Sequence, residues 1–288
     1  MNQLHSDPNW PRALHWLEKG SANPQINVVG CPTNVSITPG NCHLAPAAIR
    51  QALAKYSLHS YQHETDLGSI PVKDWGDTST LETVIATGPT VILGGDNGVT
   101  LHGVRALAKA TGSTIERIGL ITLDAHHDLR HLDGGDHNGN PVRRLLEDGL
   151  YGTNVVQIGI QSFANSSTYA AVAKDNDIQV ITNETCHWLG ALRVFQDALD
   201  LLAMRVDHIY FDLDLDVMDR AFAPGCPGSR PGGLAPWQVR QIARFAGTHP
   251  KVQVMDLVEL DPTLDVNDIT ALTAAACLLE FVAGKSEQ

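Results

Sequence analysis

The chain has 288 residues, carries a formal net charge of −12 at pH 7 and is 43% hydrophobic. This acidic balance argues against binding to nucleic acid or to an anionic membrane through bulk electrostatics, although a local arginine could still hold an anionic small molecule. The five cysteines form no CxxC pair, so neither a zinc ribbon nor a disulfide framework is indicated. No secretory signal and no membrane-spanning apolar stretch is evident, so we expect a soluble cytoplasmic protein.

Short apolar runs alternate with longer helix-like segments along the chain. The predicted strands cover residues 26–29, 90–93, 118–123, 154–160, 178–181, 208–215 and 252–258. The predicted helices cover residues 46–55, 100–110, 168–174, 189–204, 236–246 and 268–281. This alternation predicts an α/β fold with a parallel sheet covered on both faces. We expect one domain over residues 1–288, with residues 1–25 as a candidate N-terminal extension or packing element.

Polar segments follow four of the predicted strands. They are GGDN at residues 94–97, DAHHD at 124–128, the aspartate-rich stretch at 212–219, and residues 256–259. In open parallel sheets, ligands bind at the carboxyl ends of the strands, so four such segments predict one site at that edge.

The aspartate clusters have the composition of a metal site. If both segments are extended, Asp124, His126 and Asp128 share a face, with Ala125 and His127 turned away, and residues 212, 214 and 216 do the same. Carboxylates with one imidazole suit Mn²⁺ or a similar oxygen-preferring ion, and two ions ~3.5–4 Å apart could activate a water. A single such motif is more often a solvated loop. The Pro- and Gly-rich loop at residues 223–233 is either a wall of the pocket or an ordinary surface connection.

The order and spacing of these motifs resemble the ureohydrolase family, which includes arginase, agmatinase and formimidoylglutamase. The family motifs GGDH, DAHxD, SxDxDxxDP and ExxP stand here as GGDN at 94–97, DAHHD at 124–128, DLDLDVMDR at 212–220 and ELDP at 259–262. The resemblance covers roughly residues 90 to 265. It implies a three-layer α/β sandwich on a mainly parallel sheet, two Mn²⁺ ions per subunit, and assembly as a homotrimer or homohexamer.

The resemblance also implies a ligand set. Asp124 and Asp214 would bridge the two ions, His126 and Asp216 would complete one site, and Asp128 and Asn97 would complete the other. Glu259 matches the family carboxylate that faces the amidine nitrogens of the substrate. Asp128 is the candidate for carrying a proton to the leaving amine.

The chain departs from the family pattern at several positions. Asn97 replaces a metal-binding histidine and should hold its ion less tightly. Asn138 aligns with a histidine discussed as a proton shuttle in agmatinase, and the neighbouring His137 is a candidate substitute. Further departures are Asp212 in place of serine, Arg220 in place of proline, and Gln161 where arginine is frequent.

Within the family, the formimidoylglutamase branch is most similar, and Asn138 agrees with its pattern. The implied reaction is hydrolysis of N-formimidoyl-L-glutamate to L-glutamate and formamide, a step of histidine degradation. Candidate substrate-binding residues are Glu259, Asn138 and Arg130, with Arg143 or Arg230 as other candidates for holding carboxylates. The alternatives are another guanidino or amidino hydrolase, such as an agmatinase-like enzyme, and a metal-impaired homologue without catalysis.

Overall fold

The computed structural model describes residues 7–288, in which eight strands form one parallel sheet. The strands of the sheet are β1 (Ile26–Cys31), β4 (Val72–Asp77), β5 (Thr90–Gly94), β6 (Ile118–Leu123), β7 (Val155–Ile160), β8 (Gln179–Thr182), β9 (His208–Asp214) and β10 (Val252–Val258). Their order across the sheet is β4-β1-β5-β10-β9-β6-β7-β8. A two-stranded hairpin, β2 (His59–Ser60) and β3 (Thr65–Asp66), lies outside it.

Helices cover both faces of the sheet. They are α1 (Ala13–Lys19), α2 (Ala45–Ala52), α3 (Leu81–Ile85), α4 (Gly98–Thr111), α5 (Pro141–Glu147), α6 (Ser167–Asp175), α7 (Asn183–Leu189), α8 (Ala191–Ala203), α9 (Pro236–Thr248) and α10 (Ile269–Lys285). One buried core lies beneath α2, α8, α9 and α10, and a second lies beneath α3, α4 and α5. The predicted three-layer sandwich on a mainly parallel sheet is confirmed.

All seven predicted strands are present, but three helix and strand predictions need correction. Strand β4 was not predicted because its sequence, VKDWGD, is mostly polar and it occupies one edge of the sheet. The predicted helix at 189–204 is present as α8, but it begins at Ala191 because Gly190, with a φ of +91°, separates it from α7. The short helices α1, α3, α5 and α7 were also missed, because each offers too few turns for a clear apolar periodicity.

The N-terminal segment was predicted as an extension or packing element. Its residues 1–6 lie outside the described part of the chain. In the described remainder, Trp16 is buried and donates its indole N–H to the carbonyl of Ile70 at 3.1 Å, so this segment packs onto the fold. Across residues 7–288, no helix combines the length and the apolar character needed to cross a membrane.

The sheet order brings the four polar segments together. Strands β5, β10, β9 and β6 are consecutive neighbours at the middle of the sheet, and each polar segment includes or follows the last residues of one of them. Because parallel strands end at the same edge, the side chains that follow these four strands converge.

Candidate metal centre and active site

His126 lies between two aspartates at the centre of this edge. Its Nδ1 is 2.9 Å from Asp216 Oδ2 and 3.5 Å from Asp124 Oδ1. One ligand atom from each of the three residues falls within 4.8 Å of the others, a spacing that a single metal ion can bridge. Both carboxylates are almost fully buried, and the imidazole is partly exposed.

Turns, rather than extended segments, bring these residues together. Strand β6 ends at Leu123, and Asp128 adopts a left-handed backbone conformation with φ of +51°. Asp216 lies in a short 3₁₀ turn after β9, where its backbone N–H donates to Asp214 Oδ1 at 2.8 Å. The prediction of a shared face from extended alternation was therefore wrong in its geometry. His127, predicted to turn away, directs its imidazole to Gln157, with Nδ1 2.7 Å from Gln157 Oε1.

Burial makes the cluster electrostatically unfavourable without a cation. Burial, with a smaller contribution from Asp216, raises the pKa of Asp124 to about 7, and burial raises the pKa of Asp128 and Asp214 well above the ordinary value. The negative charge of Asp216 raises the pKa of His126 to about 12. Burial alone would raise the pKa of Asp216. The neighbouring His126 outweighs this effect, so the pKa of Asp216 lies below its ordinary value. Oxygen ligands with one imidazole suit Mn²⁺, so the donor set fits the predicted metal.

Asn97 and Asp128 form the other half of the cluster. Asn97 Nδ2 donates to Asp128 Oδ2 at 2.5 Å, and Asn97 Oδ1 accepts from the hydroxyl of Thr100 at 2.6 Å. In this arrangement the amide nitrogen, rather than the amide oxygen, points toward Asp128. The structure therefore places Asn97 beside the cluster, as predicted from the sequence. Its Oδ1, the amide atom that can bind a metal, faces Thr100 rather than Asp128.

Glu259 is held in place before any substrate arrives. Its Oε1 accepts the backbone N–H of Asn97 at 2.8 Å and Asn138 Nδ2 at 3.0 Å. The backbone φ of Glu259 is +66°, a strained conformation for a non-glycine residue and one that clusters at functional sites. Burial raises the pKa of its carboxyl to about 7. Because Oε1 already has two donors, Oε2 is the oxygen left for a ligand.

A cavity of about 430 Å³ opens above the cluster. Its lining includes Arg130, Arg230, Asn138 and Glu259. Neither arginine forms an ion pair with a carboxylate of residues 7–288. Arg143 does not line the cavity, and its Nε lies 3.5 Å from Glu147 Oε1 on the same helix.

His137 is another candidate residue that the fold does not bring to the cavity. Its Nδ1 accepts the backbone N–H of Gly139 at 3.1 Å, and its side chain is not among the lining residues. The fold therefore gives no support to His137 as a substitute proton shuttle.

The Pro- and Gly-rich loop at 223–233 forms one wall of the cavity through Pro227, Gly228 and Arg230. Gly228 was not singled out from the sequence. A Cβ atom on it would lie 2.1 Å from Asp216 Oδ2 and 3.1 Å from His126 Cε1. The loop composition indicated close backbone approach, but only the fold shows which glycine is in contact with the metal-site residues.

A buried polar group beneath the cluster was also missed. Asp256 Oδ2 accepts the hydroxyl of Tyr210 at 2.6 Å and lies 3.0 Å from Thr100 Oγ1, and Asp212 is its register partner on β9. Burial raises the pKa of Asp256 to about 6 and that of Asp212 well above the ordinary value, so the pair holds a proton more readily than two isolated carboxyls. Asp212 does not line the cavity.

The sequence model of the arginase family matches residues 24–284. The chain belongs to the arginase family. It is 37% identical to the formimidoylglutamase of Halalkalibacterium halodurans over 281 residues, which covers 90% of this chain and 87% of that protein. The crystal structure of formimidoylglutamase from Bacillus subtilis has a TM-score of 0.92 at 30% identity, covering 99% of this chain and 94% of that one. A Trypanosoma cruzi formiminoglutamase solved with Mn²⁺ shares the fold, with a TM-score of 0.86, 24% identity, and coverage of 97% and 99%.

Membership of the arginase family settles the class of protein. Proteins of this family are binuclear manganese hydrolases, and this chain has a cluster of Asp124, His126 and Asp216 that could hold a metal ion. The prediction of a hydrolase that acts on amidine-type C–N bonds is confirmed.

Proposed function

We propose that the protein hydrolyses N-formimidoyl-L-glutamate to L-glutamate and formamide with two Mn²⁺ ions per subunit. The observation that carries this proposal is the cluster of Asp124, His126 and Asp216, which adjoins a cavity lined by two arginines that pair with no carboxylate among residues 7–288. The similarity to proteins named formimidoylglutamase supports this substrate above other amidines.

Five of the six proposed metal ligands line the cavity, and the sixth, Asp124, lies beside His126 and Asp216. Asp124 and Asp214 would bridge the two ions, with His126 and Asp216 on one side and Asp128 and Asn97 on the other. The T. cruzi formiminoglutamase described with Mn²⁺ supports the choice of metal. Bound Mn²⁺ would supply Lewis-acid activation of water near neutral pH.

The protein's own side chains would orient the substrate and move the proton. Glu259 Oε2 would accept charge-assisted hydrogen bonds from the cationic formimidoyl group, holding its planar carbon over the floor of the cavity. Water adds to that carbon, and the bond from it to the glutamate nitrogen breaks. Asp128 would carry the proton of the attacking water to that nitrogen, which leaves as the amine of L-glutamate.

Asn138 would position Glu259 rather than contact the reacting carbon. Its Nδ2 donates to Glu259 Oε1, and its Oδ1 accepts the backbone N–H of Ile37 at 3.0 Å. Both ends of the amide are therefore engaged, and this fixes the direction of the carboxylate.

Arg130 and Arg230 would hold the two carboxylates of the substrate. An arginine without a carboxylate partner at a cavity mouth suits a ligand carboxylate, because the guanidinium fork can bind it through two parallel hydrogen bonds. Gly139 supports Arg130, whose backbone N–H donates to the carbonyl of Gly139 at 3.0 Å. This pair of cations distinguishes a dicarboxylate amidine from agmatine, which has no carboxylate.

Substrate comparison with Mn²⁺-loaded protein tests this proposal. N-formimidoyl-L-glutamate, arginine, agmatine and guanidino acids are assayed in parallel, and we expect efficient turnover of the first alone. The variants Arg130→Gln and Arg230→Gln should each raise KM for it more than they lower kcat. Turnover of guanidino acids instead would indicate the alternative hydrolase. Protein that binds no Mn²⁺ and turns over nothing would indicate a metal-impaired homologue.

We further propose that the chain is cytoplasmic, forms one domain over residues 1–288 and assembles as a homotrimer or homohexamer. Large exposed apolar side chains support assembly: Trp188 is 86% exposed and Trp237 is 61% exposed. Light scattering coupled to size-exclusion chromatography measures the subunit number directly, and a monomer would contradict the assembly.

A further inference from the structure

The Thr100 hydroxyl contacts more acceptors than it has protons. Its Oγ1 is 2.6 Å from Asn97 Oδ1 and 3.0 Å from Asp256 Oδ2, and all three residues are almost fully buried. A hydroxyl has one proton to donate and lone pairs to accept. With Asp256 ionised, one of these two oxygen contacts lacks a proton, which is costly where no water can compensate.

Rotating the Asn97 amide by half a turn removes this conflict. The two ends of a side-chain amide have nearly the same shape, so hydrogen-bond partners decide which end points where. In the rotated orientation, Nδ2 donates to Thr100 Oγ1, and Thr100 donates its proton to Asp256. Every donor in the chain from Asn97 to Asp256 then has an acceptor.

The rotation also exchanges the atom that faces the metal cluster. In the present orientation Asn97 Nδ2 lies 2.5 Å from Asp128 Oδ2. This hydrogen bond stabilises the Asp128 carboxylate when no cation compensates its charge. An N–H group directed at a cation is repelled, whereas an amide oxygen is attracted to it. The orientation that satisfies Thr100 is thus also the one that offers Asn97 Oδ1 as a ligand.

We propose that Thr100, anchored by Asp256, is a positioning residue that turns the Asn97 amide so that its oxygen faces the metal pair. This inference rests on the proposed two-ion site. It explains how an asparagine can serve at a position where an unconstrained amide would present either end. Asp256 is in turn fixed by the backbone N–H of Leu213, at 3.2 Å, and by Tyr210.

Mn²⁺ binding to the variant Thr100→Val tests the role of the hydroxyl. Valine keeps the shape of threonine but neither accepts from Asn97 nor donates to Asp256. We expect the affinity for the more weakly held Mn²⁺ to fall about tenfold, equivalent to about 1.4 kcal/mol, while the tighter ion is unaffected. Thr100→Ser, which keeps the hydroxyl, should restore most of the affinity. Calorimetric titration with Mn²⁺ gives both dissociation constants without reference to activity.

Tyr210→Phe provides a matched control. It removes a buried hydroxyl that donates to the same oxygen of Asp256 but makes no hydrogen bond to Asn97. We expect Tyr210→Phe to change the affinity for the more weakly held Mn²⁺ by less than about twofold. Equal losses in Thr100→Val and Tyr210→Phe would overturn the proposal, because both would then reflect general disturbance of Asp256.

Two further outcomes separate this inference from the proposed function. If the wild-type protein binds two ions and Thr100→Val binds them equally well, the positioning role is wrong and the two-ion site stands. If the wild-type protein binds fewer than two ions, the two-ion site and the inference fail together. Should Thr100→Val not fold, neutron diffraction of Mn²⁺-loaded wild-type crystals decides the question, since deuterium on the Asn97 atom facing Asp128 would refute the proposal.

Discussion

The contact between the loop at 223–233 and the metal-site residues makes Gly228→Ala the sharpest test of the site geometry. The added Cβ would lie 2.1 Å from Asp216 Oδ2, whereas ordinary van der Waals contact begins near 3.4 Å. Asp216 Oδ2 or the loop must therefore move by about 1.3 Å, several times the ~0.2 Å tolerance of metal–ligand distances.

Neither side of this contact can yield easily. Asp216 is held by His126 at 2.9 Å and by the backbone N–H of Ala125 at 3.3 Å. The loop is fixed by the Ser229 hydroxyl, which lies 2.8 Å from the carbonyl of Ala223 and 2.9 Å from that of Cys226. We expect the Mn²⁺ affinity of the site containing Asp216 to fall by about 10- to 100-fold, with a corresponding loss of activity at limiting metal.

Calorimetric Mn²⁺ titration of Gly228→Ala measures this loss. Gly134→Ala is the matched control, because a Cβ atom there has no heavy atom within 4 Å and the residue does not have a positive φ. Two ions bound by Gly228→Ala with wild-type affinity would refute the assignment of Asp216 and His126 to a metal site.

Three other substitutions give independent predictions. Asn97→His should tighten binding of the weaker Mn²⁺ by replacing an amide with an imidazole, and an unchanged titration would contradict this. Glu259→Gln should lower kcat/KM by about 10- to 100-fold while Mn²⁺ stoichiometry is retained, because it removes a charge-assisted contact worth about 1.5–3 kcal/mol. Loss of bound Mn²⁺ in this variant would show that Glu259 binds the metal instead. Burial lowers the pKa of Lys285 from 10.5 to about 8, so its charge destabilises the fold below pH 8 and this cost fades as the pH rises toward 10.5. The stability of Lys285→Met relative to wild type should therefore decline by about 2 kcal/mol between pH 7 and pH 10 in urea unfolding, and a constant difference would contradict the assigned cause.

The central sheet was predictable because its strands carry a strong local signal. The runs that became β6 and β10 are continuous and apolar, as expected for strands buried on both faces. Strand β4 carries no such signal, since tertiary pairing with β1 at the edge of the sheet, rather than composition, makes it a strand.

The site was predictable in its residues but not in its geometry. Strand ends and motif order indicated Asp124, His126 and Asp216, yet the left-handed backbone of Asp128 has no marker in the sequence. The contacts from Asn97 and Asn138 to Glu259 join residues 162 and 121 positions apart, so only the fold reveals them. The pairing of Thr100 with Asp256 spans 156 positions and was missed for the same reason.

Glutamate release from N-formimidoyl-L-glutamate by Mn²⁺-loaded protein, measured beside agmatine, tests the central claim most directly. We expect efficient release of glutamate, loss of activity on chelation, recovery with Mn²⁺, and no turnover of agmatine. A protein that binds two Mn²⁺ ions and still leaves N-formimidoyl-L-glutamate intact would contradict the proposed substrate.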